Sequence, residues 1–537
     1  MLGPMNFDYA AHGLRAPEQR PEIPGGPQDI SQVLERTLAR APESLGLVGR
    51  HGRFSYAELD AAANRAAHVL ADLGVGAGDR VAVCLPNDVD IVLAFLGSMR
   101  LSALWVGVNR PLAAPEKAYV LRDSGASVLL AGPETLAELE PLRAELPLLR
   151  DCVEVDPGRA DSAWAQALAA ASPAPLDVAM DAWAPAAIAY TSGTTGHPKG
   201  AVHSQHNMLL PGAVSVAHGT YPQAPQGVVL PVTILNLVVL GPLTAFQHGM
   251  PCVVMDRIDP VGLATWVREE RVGSFAGVPT ILHDLLSHPD VKTSDLATLT
   301  RPLIGGSTVP EEFRRLYRER FGHEVSIGYG MTEAPTSVTH GEGGPASEPG
   351  LCGRALPQCR IEICDEAGRS LPFDEEGEIC VGPAQEGDWA GIYTPMLGYW
   401  GKPEASAEAL RGGLYHSGDL GVMRADGNVF IRGRRNELIL RGGANVYPAE
   451  VERVLEEHAQ VAESAVLGIP DARLGERVVA VVRLEASAEV SEEALGAWCR
   501  ERLARYKVPG RIAFVESLPR NAMQKIVKPR LRELFDA

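Results

Sequence analysis

Apolar positions along the first 300 residues alternate between two spacings. Ser55-Tyr-Ala-Glu58 sets a hydroxyl and a carboxylate three apart, the capping box in which each side chain takes an amide hydrogen at a helix start. Ala63, Ala66, Ala67 and Leu70 follow at helical spacing, and the helix is expected to stop near Gly74–Gly76. Arg80–Leu85 is a continuous apolar run and reads as a buried strand, followed by helix Asp88–Met99 and strand Ala103–Val108. Helix Pro115–Asp123 and strand Ala126–Ala131 continue the series. The rhythm returns over Leu209–Ala217, Val228–Leu230, Leu240–His248, Cys252–Met255, Gly262–Glu270 and Gly273–Gly277. Strands alternating with helices require crossover connections, so the expected fold class is α/β, with a large N-terminal domain of layered, mainly parallel sheets.

The texture changes after about Leu351. Arg360–Cys364, Glu378–Val381 and Val429–Arg432 read as short strands separated by turn chemistry such as Asp365-Glu-Ala-Gly368 and Asp426-Gly427, which predicts a small β-rich subdomain over about 351–434. Beyond Arg434 the pattern is α+β: helix Ala449–His458, strands Val461–Gly468 and Arg477–Leu484, a helix capped by Ser491, and strand Arg511–Val515. A boundary near Arg435 divides an N-terminal domain, 1–434, from a C-terminal domain, 435–537.

Composition narrows the function classes. The 537 residues carry 49 Lys+Arg and 67 Asp+Glu, a net charge of −18, which argues against a general nucleic-acid binder or a polybasic membrane-surface protein. Hydrophobic content of 46% with 22% charged residues is too apolar for disorder. The eight cysteines are scattered without a CxxC, so neither a disulfide framework nor a zinc knuckle is expected, and a cytoplasmic setting is the simplest. The first twenty-one residues lack an apolar signal core, and the most apolar stretch, Val228–Phe246, is broken by Pro231, Asn236, Gly241 and Pro242. No membrane span is expected.

The sharpest chemical signal is Tyr190-Thr-Ser-Gly-Thr-Thr-Gly-His-Pro-Lys-Gly200 between two predicted strands. Thr191, Ser192, Thr194 and Thr195 supply hydroxyls, Gly193 lets main-chain N–H groups approach, and Lys199 is a point charge, a set suited to a polyphosphate. Residues Tyr190 to Ser204 contain no acidic side chain, and the spacing is not that of a Walker A loop. Four further strings follow in order: Leu303-Ile-Gly-Gly-Ser-Thr-Val-Pro310, Ser326-Ile-Gly-Tyr-Gly-Met-Thr-Glu333, Tyr415-His-Ser-Gly-Asp419 and Leu440-Arg-Gly-Gly-Ala-Asn-Val-Tyr-Pro448. Leu518-Pro-Arg-Asn-Ala-Met-Gln-Lys525 closes the series.

Together these strings resemble the adenylate-forming superfamily of acyl- and aryl-CoA synthetases, adenylation domains and luciferases, over essentially the whole chain beyond residue 30 or so. The resemblance implies ATP as co-substrate, with Thr191–Thr195 and Lys199 on its phosphates, Gly305, Gly306 and Ser307 against adenine and the acyl pocket, and Tyr329 stacked on adenine beside Gly330 and Met331. It implies contact of Thr332 with the α-phosphate and of Glu333 with Mg²⁺, a hard cation that prefers such oxygen ligands. Asp419 would accept the ribose hydroxyls with Arg434 as a second ribose contact, and Asn436 would be the hinge of a mobile C-terminal domain. Gly442 and Gly443 would line the pantetheine passage for coenzyme A, and Lys525 would bridge substrate carboxylate and α-phosphate. Family members usually carry Asp or Lys at the hinge, and Gly before the catalytic lysine where this chain has Gln524.

The acyl pocket implied by the resemblance comprises Val232, Ile234, Gly277 and Met331, with Ile234 where the family commonly has an aromatic or His. Val232 to Val239 holds no Asp or Glu, so a buried substrate ammonium would go unpaired, which argues against an amino-acid substrate. The expected activity is an AMP-forming carboxylate–CoA ligase for an aliphatic, alicyclic or aryl acid, the alternative being a stand-alone enzyme that loads a carrier-protein thiol. A homodimer is an open option. Charge is uneven: from Arg500 onward ten Lys+Arg face four Asp+Glu, so this tail is +6 while residues 1–499 are −24. The cationic groups for anionic ligands must therefore be local.

Overall fold

The chain divides into two units: Met1–Ser347, Gly353–Ile361 and Val381–Tyr415 make up the first, and Glu348–Cys352, Glu362–Cys380 and His416–Ala537 the second. The computed structural model describes residues 7–191, 198–219, 223–304, 311–342, 350–434, 437–441, 444–471, 474–521 and 525–535.

In the first unit the capping box forms as expected: Ser55 accepts the Glu58 N–H while Glu58 accepts the Ser55 N–H, opening helix Tyr56–Asp72. Arg80–Cys84 is an interior strand of a seven-stranded sheet, which runs Gly398–Tyr399, Lys199–Ser204, Pro185–Thr191, Leu104–Gly107, Arg80–Cys84, Val128–Ala131, Asp151–Glu154. Pairing is parallel from Pro185–Thr191 through Asp151–Glu154 and antiparallel at the other end. The strand run is apolar throughout because both faces are covered. Ala82 and Cys84 pack with Leu104, Val106, Leu129 and helix residues Ala118 and Leu121, while Val81 and Val83 are equally buried on the opposite face. A six-stranded sheet runs Leu303–Ile304, Ser274–Gly277, Gln226–Val228, Cys252–Val254, Leu45–Gly49, Gly52–Ser55, again parallel except for the last pair. The two layered sheets of the sequence reading are therefore present.

Two elements differ from that reading. The strand expected at Val228–Leu230 lies at Gln226–Val228. The helix expected over Leu240–His248 is a composite of Leu235–Val238, a π-helical turn Val239–Leu243, and Thr244–Gln247. Pro242 has no N–H for the regular bond four residues back, and the wider turn absorbs that gap.

In the second unit, Gly475–Leu484 pairs with Val461–Asp471, Ile439–Arg441 and Arg511–Phe514, and Ile439–Arg441 also pairs with Ala444–Val446. Its Val478–Val482 run is buried on both faces. Val478, Ala480 and Val482 pack with residues of helices Pro448–Glu456 and Glu492–Arg502, while Val479 and Val481 meet Leu531 and Phe535 of the terminal 3-10 segment. The same unit holds an antiparallel pair in which Asp419–Met423 lies against Val429–Arg434, closed by a turn with Gly427 at φ +84°. Among the described residues no helix is long and apolar enough to cross a membrane.

Candidate active site

Three separate strings converge in the first unit. Pro185–Thr191 and Lys199–Ser204 pair antiparallel, which sets Thr191 directly opposite Lys199 at the end of the hairpin where the chain passes from one strand to the other. Gly330–Met331 and Ala334–Ser337 form a second antiparallel ribbon whose turn carries Thr332 and Glu333. That ribbon is tight enough to require glycine, since a Cβ on Gly330 would fall 2.0 Å from the Thr336 carbonyl oxygen. The strand Gly398–Tyr399 adds to Ala201–Val202 and brings in Tyr399.

Glu333 is the meeting point. Its Oε1 accepts hydrogen bonds from Thr191 Oγ1 at 3.2 Å and from Tyr399 OH at 3.1 Å, and its main-chain oxygen accepts the Met396 N–H at 2.8 Å. Lys199 Nζ lies 5.2 Å from the Tyr399 ring centroid, a cation–π arrangement. Burial, then the negative charge of Glu333, raises the Tyr399 phenol well above its usual pKa, which keeps it a donor. Among the described residues no cation pairs with Glu333. A half-buried carboxylate ringed by neutral hydroxyls, with a lysine beside them, is an oxygen-donor set that fits Mg²⁺ and phosphate.

Helix Ala114–Ser124 fastens both arms of this hairpin at the end that carries Thr191 and Lys199. Tyr190 OH donates to Asp123 Oδ2 at 2.8 Å, Tyr119 OH donates to the Pro198 carbonyl at 3.0 Å, and Lys402 Nζ pairs with Asp123 at 3.3 Å. On the strand bearing Lys199, burial drives the His203 imidazole down to a pKa of about 4, so it is neutral at physiological pH.

Tyr329 is buried, its N–H donating to Thr339 Oγ1 at 2.9 Å. Met331 is half-buried on the ribbon. Val232 and Ile234 are buried, and Asn87 fixes their loop by accepting the Val232 N–H at 2.9 Å while donating to the Leu230 and Met255 carbonyls. Gly277 ends its strand beside Phe275 and Val229, a Cβ there lying 3.2 Å and 3.8 Å from them. No acidic side chain enters residues 230–239.

In the second unit, Asp419 and Arg434 are direct cross-strand neighbours, with Arg434 Nε 3.2 Å from Asp419 Oδ1. Asp419 is buried. Lys525 is exposed, and its N–H donates to Asn521 Oδ1 at 3.0 Å while its carbonyl accepts the Asn521 N–H at 2.9 Å. Ser192, Gly193, Thr194, Thr195, Gly305, Gly306, Ser307, Asn436, Gly442 and Gly443 lie outside the described residues.

The structure adds Tyr399, Tyr119, Tyr190, Asp123 and Lys402 around the site. In the sequence, Gly398-Tyr-Trp400 reads as an ordinary apolar string; the signal lies in the sheet edge that delivers it.

Comparison with known proteins gives a consistent picture. Residues 34–400 match the AMP-binding enzyme family and 450–525 its C-terminal domain. The chain is 33% identical over 493 residues to the long-chain-fatty-acid–CoA ligase FadD13 of Mycobacterium tuberculosis, covering 90% of this chain and 94% of that one. It is 34% identical over 492 residues to the feruloyl-CoA synthase of an Amycolatopsis species, covering 90% and 95%. The ATP-bound crystal structure of MatB from Rhodopseudomonas palustris superposes with a TM-score of 0.84 at 29% identity, over 94% of this chain and 99% of that one. The chain belongs to the AMP-binding enzyme family of the adenylate-forming superfamily, and within it is an AMP-forming acid–thiol ligase of the acyl-CoA synthetase type.

Proposed function

We propose that the protein activates a neutral, apolar carboxylic acid as its adenylate and transfers the acyl group to the thiol of coenzyme A. In the first half-reaction a carboxylate oxygen attacks the α-phosphorus of ATP and pyrophosphate leaves. In the second the CoA sulfur attacks the acyl carbonyl carbon, the thiol proton is lost and AMP leaves. The observation that carries the assignment of residues is the convergence of Thr191, Lys199, Glu333 and Tyr399, brought from three distant stretches of sequence.

Lys199 supplies positive charge to the phosphates and Thr191 a hydroxyl donor. Glu333 holds Mg²⁺, which when bound neutralises charge on the phosphate oxygens. Thr332 contacts the α-phosphate and Tyr329 the adenine. Asp419, flanked by Arg434, accepts the ribose hydroxyls, and Lys525 stabilises the charge that develops between carboxylate and α-phosphate. A rotation about Asn436 of the C-terminal domain, residues 435–537, exchanges Lys525 for the pantetheine-lining Gly442 and Gly443. The acid is apolar at the end away from its carboxylate because Val232, Ile234 and Gly277 offer no charge to pair with an ammonium or a second carboxylate. The eight cysteines, scattered along the chain without a CxxC, support a cytoplasmic setting.

The test is pyrophosphate release over a panel of carboxylic acids, with and without CoA, with thioester formation followed in parallel. Release that depends on an aliphatic, alicyclic or aryl acid and yields acyl-CoA is expected. Adenylate accumulation that only a carrier-protein thiol discharges would overturn the CoA assignment. A preference for amino acids would overturn the pocket.

A further inference from the structure

The buried carboxylate of Glu378 lies directly against strand Tyr415–Met423, which carries Asp419. Its Oε2 is 2.9 Å from His416 Nδ1, and its Oε1 accepts the Gly418 N–H at 2.9 Å. Beside it, Ser417 Oγ donates to the Ile379 carbonyl at 2.7 Å and accepts the Asp419 N–H at 3.0 Å. Gly418 has φ +73°, a conformation that side-chain-bearing residues rarely adopt, so glycine is what lets strand Tyr415–Met423 bend just before Asp419. Glu378, His416 and Asp419 are 6, 7 and 8% exposed. With little water available, each must find its partners within the protein.

We infer that Glu378, acting through His416 and the Gly418 N–H, is a positioning residue that aims the Asp419 carboxylate at the nucleotide ribose. One carboxylate takes donors from residues 416 and 418, the stretch of strand just before Asp419, so both its oxygens help define where residue 419 emerges. Cys380 Sγ stands 3.2 Å from the same His416 nitrogen, and the ligand atoms of Glu378, Cys380 and His416 all lie within 4.8 Å of one another. That spacing would also admit a metal, yet both Glu378 oxygens already have donors facing them. The inference rests on the reading of Asp419 as the ribose contact.

The experiment needs no knowledge of the acid. Affinities of the full-length protein for ATP and for 2′,3′-dideoxy-ATP, in Mg²⁺, are measured by calorimetry for wild type, Asp419→Ala, Glu378→Ala, Glu378→Gln and His416→Ala. Wild type should prefer ATP by about tenfold or more, the scale of a charged hydrogen bond, and Asp419→Ala should lose the preference. Glu378→Ala and His416→Ala should lose most of it. Glu378→Gln should recover it, since the amide oxygen can take the Gly418 N–H while its NH₂ donates to the other His416 tautomer. If either alanine variant fails to fold, the other carries the same readout. Equal weakening toward both nucleotides, or a full preference in the Glu378 and His416 variants, would sink the positioning role while leaving Asp419 as assigned. A preference that survives Asp419→Ala would sink the ribose reading itself. A stoichiometric metal in the purified protein that Glu378→Ala releases would show a metal centre instead.

Discussion

Two carboxylates are prepared in opposite ways in the two units. Glu333 sits among hydroxyl donors, Thr191 and Tyr399, and among the described residues no cation pairs with it. Asp419 stands across an antiparallel pair from Arg434, whose guanidinium lies 3.2 Å away. Hydroxyls orient a carboxylate but leave its charge available, which suits a group that must meet a hard divalent cation. A guanidinium offsets that charge and leaves the remaining lone pairs to accept neutral hydroxyls. On the proposed roles, the same functional group would serve a cation in one unit and a sugar in the other, with hydroxyls beside Glu333 and a guanidinium beside Asp419.

The largest expected effect tests whether chemistry is divided between the units at all. Lys525→Ala should slow adenylate formation by about 10²–10³, the usual cost of losing a group that stabilises developing charge, while thioester formation from supplied acyl-adenylate persists. Equal loss of both half-reactions, measured by pyrophosphate release and by acyl-CoA formation, would remove the division. Glu333→Gln comes next. It should reduce adenylation about 100-fold and raise the Mg²⁺ concentration required, with little change in discrimination between ATP and its dideoxy analogue. Asp419→Ala should show the converse pattern: an ATP KM raised about tenfold, with the Mg²⁺ requirement unchanged. If both variants moved both readouts together, the contrast between the two carboxylates would fail. A smaller effect tests the hydroxyl ring. Tyr399→Phe removes one of two donors from Glu333 and should lower kcat about three- to tenfold with a matching rise in the Mg²⁺ requirement.

Which of these groups the sequence could reveal follows from how each is placed. Thr332 and Glu333 are singled out by the resemblance of their string to the family, whereas Thr191 and Lys199 lie in a short string dense in glycine and hydroxyls, which local composition marks. The capping box at Ser55 and the doubly covered strand at Arg80–Cys84 were legible for the same reason, because local chemistry and burial pattern carried the information. Tyr399 was not, since its role arises from antiparallel addition of Gly398–Tyr399 to the strand that bears Lys199, a pairing across some 200 residues. Glu378 was hidden differently. It occupies one position of a strand buried continuously from residue 378 to 382, where a carboxylate reads as an ordinary polar site until the strand bearing Gly418 packs onto it. The composite helix at 235–247 shows a third limit: Pro242 announces an interruption but not whether the chain will kink, stop or widen into a π turn.

A third carboxyl sharpens the comparison because burial, rather than its partners, decides its state. Glu456, in the second unit, accepts from Ser464 N–H at 3.0 Å and Ser464 Oγ at 3.2 Å, but burial outweighs these bonds, and the nearby charges of Glu452 and Glu463 add to it. Its pKa is pushed up to about 7 from the ordinary 4.5. Because the folded value exceeds the unfolded one, the native state binds the proton more tightly. The resulting stabilisation is complete below about pH 4.5 and is lost as pH rises through about 7. Glu456→Gln keeps an acceptor for Ser464 and removes the titration. It should therefore flatten the fall in melting temperature between pH 5 and 8, raising stability at the alkaline end relative to wild type. Thermal melts of both proteins across that range check it. An unchanged slope would mean that Glu456 does not set the pH response.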